Sequence, residues 1–228
     1  GINNNVFSTL AICEAAIKTN VREVILVSSD KAVRPTNIMG ASKRLSEMIL
    51  QAYSQKIKED SLNLANREIL FSMVRFGNVL NSSGSVVPLF KEQIQKGGPI
   101  TLTHPMMTRY FMTISEAAEL LLQSSTMALG GDVFLLDMGK PIKIYDLACQ
   151  MIKLSGLKIK DNNNPEGDIE ILELGIRSGE KLFEELLIDA KAKNTYHPLI
   201  YRAIEKSMPY EELILLIKEM KFAIEENN

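Results

Sequence analysis

The sequence predicts an α/β fold built on a mainly parallel sheet, and three observations carry that prediction. Amphipathic segments of helical spacing alternate along the chain with short apolar runs. One of those runs, Val24 to Val27, is continuous rather than alternating, as suits a parallel strand covered on both faces. The 228 residues are 46% hydrophobic, enough to bury a substantial core in one or two globular units.

Val6, Leu10, Cys13 and Ile17 fall at helical spacing behind the candidate caps Asn3 to Asn5, so residues 5–19 read as an amphipathic helix. REVILVSSD follows as a strand that ends in small polar residues. Pro35 disfavours helix at Arg34, which keeps AVRPTN extended, and Thr36 or Asn37 can cap the next helix. That helix carries Leu45, Met48, Ile49, Ala52 and Tyr53 on one face and runs to about Lys58. EILFSMVRFGNV is a second strand ending in a glycine turn.

Beyond residue 80, NSSGS is a loop, VVPLFKEQIQKGG a short helix closed by paired glycines, and PITLT a short strand. SEAAELLLQSSTMA is a helix with Ser115 as its cap, and GDVFLLDMG a strand. KIYDLACQMIKLSG is helical with Gly156 as its stop. DNNNPEGD is a surface loop, followed by strand IEILEL, helix GEKLFEELL and a C-terminal helix from Tyr210 onward. Ligands in such sheets bind at the carboxyl ends of strands, which directs attention to the loops after Val27, after Phe76 and around Leu136.

Composition excludes several function classes. Lys plus Arg (26) nearly balances Asp plus Glu (28), so the chain lacks the positive field that holds a nucleic-acid backbone, and no nucleic-acid partner is expected. Cys13 and Cys149 sit in helix-like apolar segments, which suits buried thiols in a reducing compartment. His104 and His197 lie far apart with no Cys/His cluster, so no metal site is expected. No apolar run reaches roughly 18 residues, and GINNN does not resemble a signal peptide, so no membrane segment or export signal is expected in this chain. The opening without Met, with helical periodicity at once, is the pattern expected of a fragment.

VSSDKAVRPTNIMGASKR, residues 27–44, is the most informative stretch. Met39 and Lys43 are four apart at a helix start and share a face, and the preceding loop holds Ser28, Ser29, Asp30 and Lys31. Folding that loop back gathers Ser29, Asp30, Lys31 and Lys43 around one small volume. A lone Asp–Lys pair is ordinarily a surface ion pair. The order of strand, S-S-D-K, X-P turn, M-x-x-x-K helix and R-F-G-N is far more specific.

With those blocks, together with NNVFSTL, RFGNVLNSSGSVVPLF, THPMMTRYFMTISEAAEL and GIRSGEKLFEEL, the chain resembles the extended short-chain dehydrogenase/reductases. Within them it resembles the nucleotide-sugar 4,6-dehydratases of capsule and flagellin-glycan biosynthesis, which act on UDP-N-acetylglucosamine. The resemblance implies a Rossmann-like parallel sheet, second half only, over residues 1–80. A smaller C-terminal α/β substrate domain occupies mainly 81–228, with some segments returning to the sheet.

Two departures stand out. Met39 occupies the place of the usual tyrosine of Y-x-x-x-K, and a thioether cannot exchange a proton. The resemblance implies that this is a trait of the larger, often membrane-anchored dehydratases. No G-x-G-x-x-G occurs, so the glycine turn that brings a helix N-terminus to a pyrophosphate is missing; in the family it lies upstream.

The resemblance implies NAD as cofactor. Hydride leaves C4 of the sugar, water is lost across C5 and C6, and hydride returns to C6. Asp30 and Lys31 match the acid and base of the elimination, for which burial should keep Asp30 protonated while burial and neighbouring positive charge lower the Lys31 pKa. Ser29, with Lys43 nearby, is expected to handle the C4 hydroxyl proton in place of the tyrosine. Asn5, Ser28, Lys43 and Phe76 fall on the cofactor side, Lys43 bonding the nicotinamide ribose and Asn5 matching the asparagine of an N-V-x-G-T block in which Ser8 replaces glycine. A helix cap is the plain structural alternative for Asn5.

For the UDP-sugar, Arg109 and Arg177 match diphosphate-binding positions, where forked donors suit phosphate. Glu180 matches an acceptor for a ribose or sugar hydroxyl, Asn78 should reach the sugar phosphate, and Val87 and Thr101 should flank the uracil; His104 reads as scaffold. The expectation is a cytoplasmic homo-oligomeric lyase, at the inner face of the membrane if a longer parent chain carries an anchor. The rivals are an epimerase of the same fold, disfavoured by S-S-D-K because epimerisation expels no C6 hydroxyl, and a non-catalytic UDP-sugar-binding fragment.

Overall fold

The computed structural model of the chain describes residues 1–19, 21–61, 69–82, 84–185, 192–203, 205 and 207–226. The described residues form two compact units. One comprises Gly1–Phe76, Leu120–Asp137 and Leu186–Asn228, the other Gly77–Glu119 and Met138–Glu185.

In chain order, a π-turn over Asn3–Phe7 leads into α1 (Ser8–Lys18), β1 (Glu23–Val27), a 3-10 turn (Asp30–Ala32), α2 (Ile38–Ser61) and β2 (Leu70–Arg75). Next come β3 (Asn78–Val79), α3 (Val86–Gln95), β4 (Ile100–Leu102), β5 (Thr108–Arg109) and β6 (Phe111–Met112). They are followed by α4 (Ile114–Ser125), β7 (Asp132–Leu136), β8 (Ile142–Lys143), α5 (Ile144–Leu154), β9 (Ile159–Lys160) and β10 (Ile169–Glu173). The chain ends with β11 (Ala192–Asn194), β12 (Ile200–Ala203) and α6 (Tyr210–Glu226).

The first unit holds a five-stranded sheet in the order β1-β2-β7-β12-β11. β1, β2 and β7 run parallel, whereas β12 and β11 add antiparallel, so the sheet is mixed. Its core joins Phe71 and Met73 of β2 and Val133 and Leu135 of β7 to the stripe Ile49, Ala52 and Tyr53 of α2, with Leu213 and Ile217 of α6. These apolar side chains, removed from water, are the main attraction holding the helices to the sheet. Cys13 lies in that core, and burial, aided by Glu14, pushes its thiol up to about 12.

The second unit packs α3 and α5 on a parallel three-stranded sheet, β4-β10-β9, around Phe90, Ile94, Ile100, Leu102, Ile144, Ile152 and Ile169. Two small pairings complete it, β3 with β6 in parallel and β5 with β8 antiparallel.

Three local expectations are corrected, and the choice of cap for α2 between Thr36 and Asn37 is decided. Asn3 to Asn5 lie inside helical backbone and not before it, because the Asn5 amide already bonds the Gly1 carbonyl at 2.9 Å. Asn37 caps α2, accepting from the Gly40 amide at 2.9 Å. Thr113, not Ser115, caps α4 in a reciprocal box with Glu116: the Glu116 amide donates to Thr113 Oγ1 and the Thr113 amide to Glu116 Oε2. The expected helix over 179–187 is irregular through Glu185, and 186–187 fall outside the described residues. The cause is local: the Lys181 and Leu182 carbonyls accept from the Arg109 guanidinium, and Leu182 also from the Thr108 amide, instead of from amides four residues on.

Candidate functional site

At the carboxyl end of β1 the chain leaves the sheet without losing its hold on β2. The Ser28 amide donates to Val74 O at 2.8 Å and the Asp30 amide to Phe76 O at 3.2 Å. Between them Ser29 is extended and caps the 3-10 turn, its Oγ accepting from the Lys31 amide at 3.3 Å. The turn points the Asp30 side chain inward, where it is fully buried.

Asp30 Oδ1 accepts from Ser29 Oγ at 2.8 Å and from Lys31 Nζ at 2.8 Å. Asp30 Oδ2 is buried with no hydrogen-bond partner among the described residues. Such an atom is costly unless something else satisfies it. The Lys31 side chain is 27% exposed, so the pair has one buried and one accessible end. Ser29, Asp30 and Lys31 are thus brought together, Lys31 and Ser29 both bonded to the same Asp30 oxygen.

α2 begins against this turn. Lys43 Nζ donates to Val27 O at 3.3 Å, which places the ammonium at the end of β1 and not on Ser29. Met39, one turn earlier, is exposed, and its carbonyl accepts from Ser42 Oγ. Asn5 reaches α2 from the π-turn: its Nδ2 donates to Ser42 Oγ at 2.8 Å, and its carbonyl accepts from Ser46 Oγ at 2.8 Å. Asn5 is therefore a clasp between the first helix and α2. Phe76 gives its carbonyl to Asp30 and is half-buried. Around Leu136, the Asp137 amide donates to Leu199 O.

Ser28 does something the sequence did not announce. Its hydroxyl donates at 2.6 Å to Glu47 Oε1, a fully buried carboxylate on α2. Glu47 in turn is gripped at both oxygens by the fully buried Arg75, from Nε at 2.7 Å and from Nη2 at 2.6 Å. Glu205 takes the other edge of the Arg75 guanidinium, and Arg44 bridges both glutamates at 2.9 and 2.7 Å. Burial pushes the Glu47 carboxyl up, but the Arg75 bonds and charge, with Ser28 and Arg44, outweigh it and hold the group below the usual carboxylate range. The available signal was an arginine ending a mostly apolar strand and a glutamate on the inner face of α2, two charges whose burial requires that they pair.

The second unit has its own cleft of about 270 Å³, lined among others by Asn78, Thr101, Arg109, Arg177 and Glu180. α3 contributes Val86, Leu89 and Phe90, not Val87. The helical phase puts residues three and four apart on one face and turns Val87 off it. The Thr101 hydroxyl accepts from Gln93 Nε2 at 2.8 Å, and its amide donates to Gln93 Oε1. The Asn78 amide donates to Tyr110 O.

The two arginines differ sharply. Arg109 is 7% exposed and spends its guanidinium on the carbonyls of Thr108, Lys181 and Leu182, with Glu180 Oε1 at 3.6 Å and Glu184 Oε1 at 3.9 Å. Arg177 is exposed at the cleft. His104 acts within its own turn, Nδ1 accepting from the Met106 amide at 3.1 Å.

For a dinucleotide, Lys43 offers an ammonium at the strand end, and Ser28, its proton committed to Glu47, offers lone pairs. These suit the nicotinamide-ribose end, and the 228 residues contain no glycine-rich turn for the pyrophosphate. No group of three or more His, Cys, Asp or Glu among the described residues could hold a metal ion. No helix among them is long and apolar enough to cross a membrane.

Comparison with known proteins follows the same lines. Residues 1–205 match a family described as polysaccharide biosynthesis protein. The capsular polysaccharide biosynthesis protein CapD of Staphylococcus aureus is 49% identical over 96% of this chain, which spans 34% of CapD. A UDP-glucose 4-epimerase of Rickettsia canadensis is 37% identical over 82% of the chain and is covered over 49% of its length. The chain therefore spans about half or less of the curated relatives it matches. Among solved structures, Pen from Bacillus thuringiensis superposes with a TM-score of 0.73 at 33% identity, covering 94% of this chain and 67% of that one. DesIV, a dTDP-glucose 4,6-dehydratase from Streptomyces venezuelae with NAD bound, shares the fold at 17% identity, with a TM-score of 0.66 over 81% of this chain and 57% of its own.

Proposed function

Because the chain belongs to the polysaccharide biosynthesis protein family, we propose that it forms part of an NAD-dependent UDP-N-acetylhexosamine 4,6-dehydratase. The observation that carries this reading is the Asp30 carboxyl, fully buried at a strand's carboxyl end, joined to Lys31 through Oδ1 and leaving Oδ2 without a partner among the described residues.

Elimination from a 4-keto hexose takes a proton from C5 and breaks the C6–O bond with a proton delivered to the departing oxygen. Transfer of a proton from Lys31 to Asp30 along their 2.8 Å hydrogen bond would yield a neutral amine and a neutral acid together, the two forms the elimination needs. Lys31 then takes the C5 proton, and Asp30 gives its own to the C6 hydroxyl, which leaves as water. NAD, when bound, supplies the acceptor and donor of hydride. Lys43 and Ser28 would hold its nicotinamide-ribose end; Asn5 acts through Ser42, and Phe76 through its carbonyl on Asp30. Ser29 Oγ, which donates to Asp30 Oδ1, would relay the C4 proton.

In the second unit the cleft would take the UDP moiety, with Arg177 on the diphosphate, Asn78 near the sugar phosphate, Glu180 on a hydroxyl and Val86 with Thr101 beside the uracil.

Epimerisation is the second reading, favoured by the 37% identity to a UDP-glucose 4-epimerase. The product separates the two. Full-length protein given UDP-N-acetylglucosamine should release a 4-keto-6-deoxy sugar, seen by NMR as a new C6 methyl signal. Asp30→Asn should lower kcat by about 10²- to 10⁴-fold while UDP affinity, by calorimetry, stays within about twofold. A C4 epimer with C6 intact would decide for epimerisation, and normal product release by Asp30→Asn would remove the acid assignment. UDP binding with no turnover by the full-length wild type would favour a binding role.

A further inference from the structure

We infer that Glu47, clamped by Arg75, is a positioning residue: through Ser28 it fixes where Asp30 stands. The inference deepens the proposed dehydration and rests on that reading for its kinetic part alone.

Arg75 and Glu47 are fully buried and Glu205 is 4% exposed, and a quartet of charges in that setting is a poor source of stability compared with apolar side chains of the same volume. What it does supply is direction. Arg75 engages both glutamates through Nε, Nη1 and Nη2, a fork that leaves the guanidinium plane a single orientation. Glu47 Oε1, held in that plane, then receives the Ser28 hydroxyl at 2.6 Å.

Ser28 is thereby fastened at both ends, by its hydroxyl to Glu47 and by its amide to Val74 O. Asp30, two residues on, has its amide on Phe76 O. The two acceptors, Val74 and Phe76, flank Arg75. One strand end therefore carries both the clamp for Glu47 and the carbonyls that hold the loop. Lys43 stands one helical turn before Glu47 on α2, with its ammonium on Val27 O. None of the four charged groups needs to touch substrate for this role. A reacting group displaced by about 1 Å loses on the order of a hundredfold in rate.

The test uses full-length protein with Ser28→Ala, Glu47→Gln and the double variant. Glu47→Gln disturbs a buried pair and can unfold the protein; Ser28→Ala removes one hydrogen bond and leaves the clamp whole. Expected are a kcat reduced about tenfold or more in Ser28→Ala with the KM for the UDP-sugar within about twofold. The double variant should be no slower than Glu47→Gln alone, since both act through one contact. Additive losses would mean that Ser28 and Glu47 act through separate contacts and would overturn the inference, as would an unchanged kcat in both single variants. A second readout is independent of turnover: hydrogen exchange of the Asp30 amide should quicken about tenfold in Ser28→Ala at a temperature where variant and wild type are equally folded. If the wild type performs no dehydration, the functional reading fails and exchange alone decides, unchanged exchange overturning the positioning role.

Discussion

A Cβ on Gly40 would stand 2.3 Å from the carbonyl oxygen of Lys31, so the first turn of α2 lies against the Asp30–Lys31 turn at a separation that glycine alone permits. The obstructing atom is backbone, so the neighbour cannot swing aside as a flexible side chain would.

Gly40→Ala is therefore expected to push the turn away from α2. Overpacking of this kind costs about 1–3 kcal/mol, or about 2–10 °C in Tm for a chain of this size. Under the proposed function kcat should fall further than UDP affinity, because the displaced groups are Asp30 and Lys31. Scanning calorimetry with steady-state kinetics measures both, and an unchanged Tm with unchanged kcat would show that the turn is loose.

The cleft arginines should separate into different kinds of loss. Arg177→Ala is expected to weaken UDP binding by about tenfold or more, the value of one charge-assisted contact, with Tm nearly unmoved. Arg109→Ala should instead lower Tm by several degrees, since it removes hydrogen bonds to three carbonyls, of which Leu182 O keeps the Thr108 amide, and takes away the positive charge beside Glu184, itself 9% exposed. Calorimetric titration with UDP alongside thermal melting distinguishes them. The reverse pattern would return the diphosphate to Arg109.

Stability should also decline in acid through Glu47. Its carboxyl is held below the ordinary value of 4.5 in the folded protein, so the unfolded chain binds its proton at the higher pH. That contribution is complete above about pH 4.5 and is lost as pH falls through the folded value. Urea midpoints measured from pH 7 downward should drop below about pH 4.5, and Glu47→Gln should flatten the drop. An identical acid limb in the variant would assign the loss to other carboxylates.

Much of the fold could be read before any coordinates. The apolar run at 24–27 marked β1, the stripe Ile49, Ala52 and Tyr53 marked the buried face of α2, and Gly156 marked the end of α5, where its φ is +75°. β11 and β12 were not legible, because they are short, and the antiparallel partner of β12 is β7, more than sixty residues earlier. The helix expected over 179–187 had the right spacing, but Arg109 drew off the carbonyls that would have closed it. Val87 was placed in the cleft by motif position, and helical phase put Val86 and Leu89 there.

The sequence by itself determined which residues stand side by side: Ser29, Asp30 and Lys31 follow a parallel strand, and no fold could part them far. Tertiary structure alone decided how they face. Residues distant along the chain, Glu47 on α2, Arg75 at the end of β2 and Glu205 after β12, meet in one buried ionic cluster that ties Ser28 down. Charges find one another there because the interior leaves them no water to turn to, and no local pattern of residue types records that constraint.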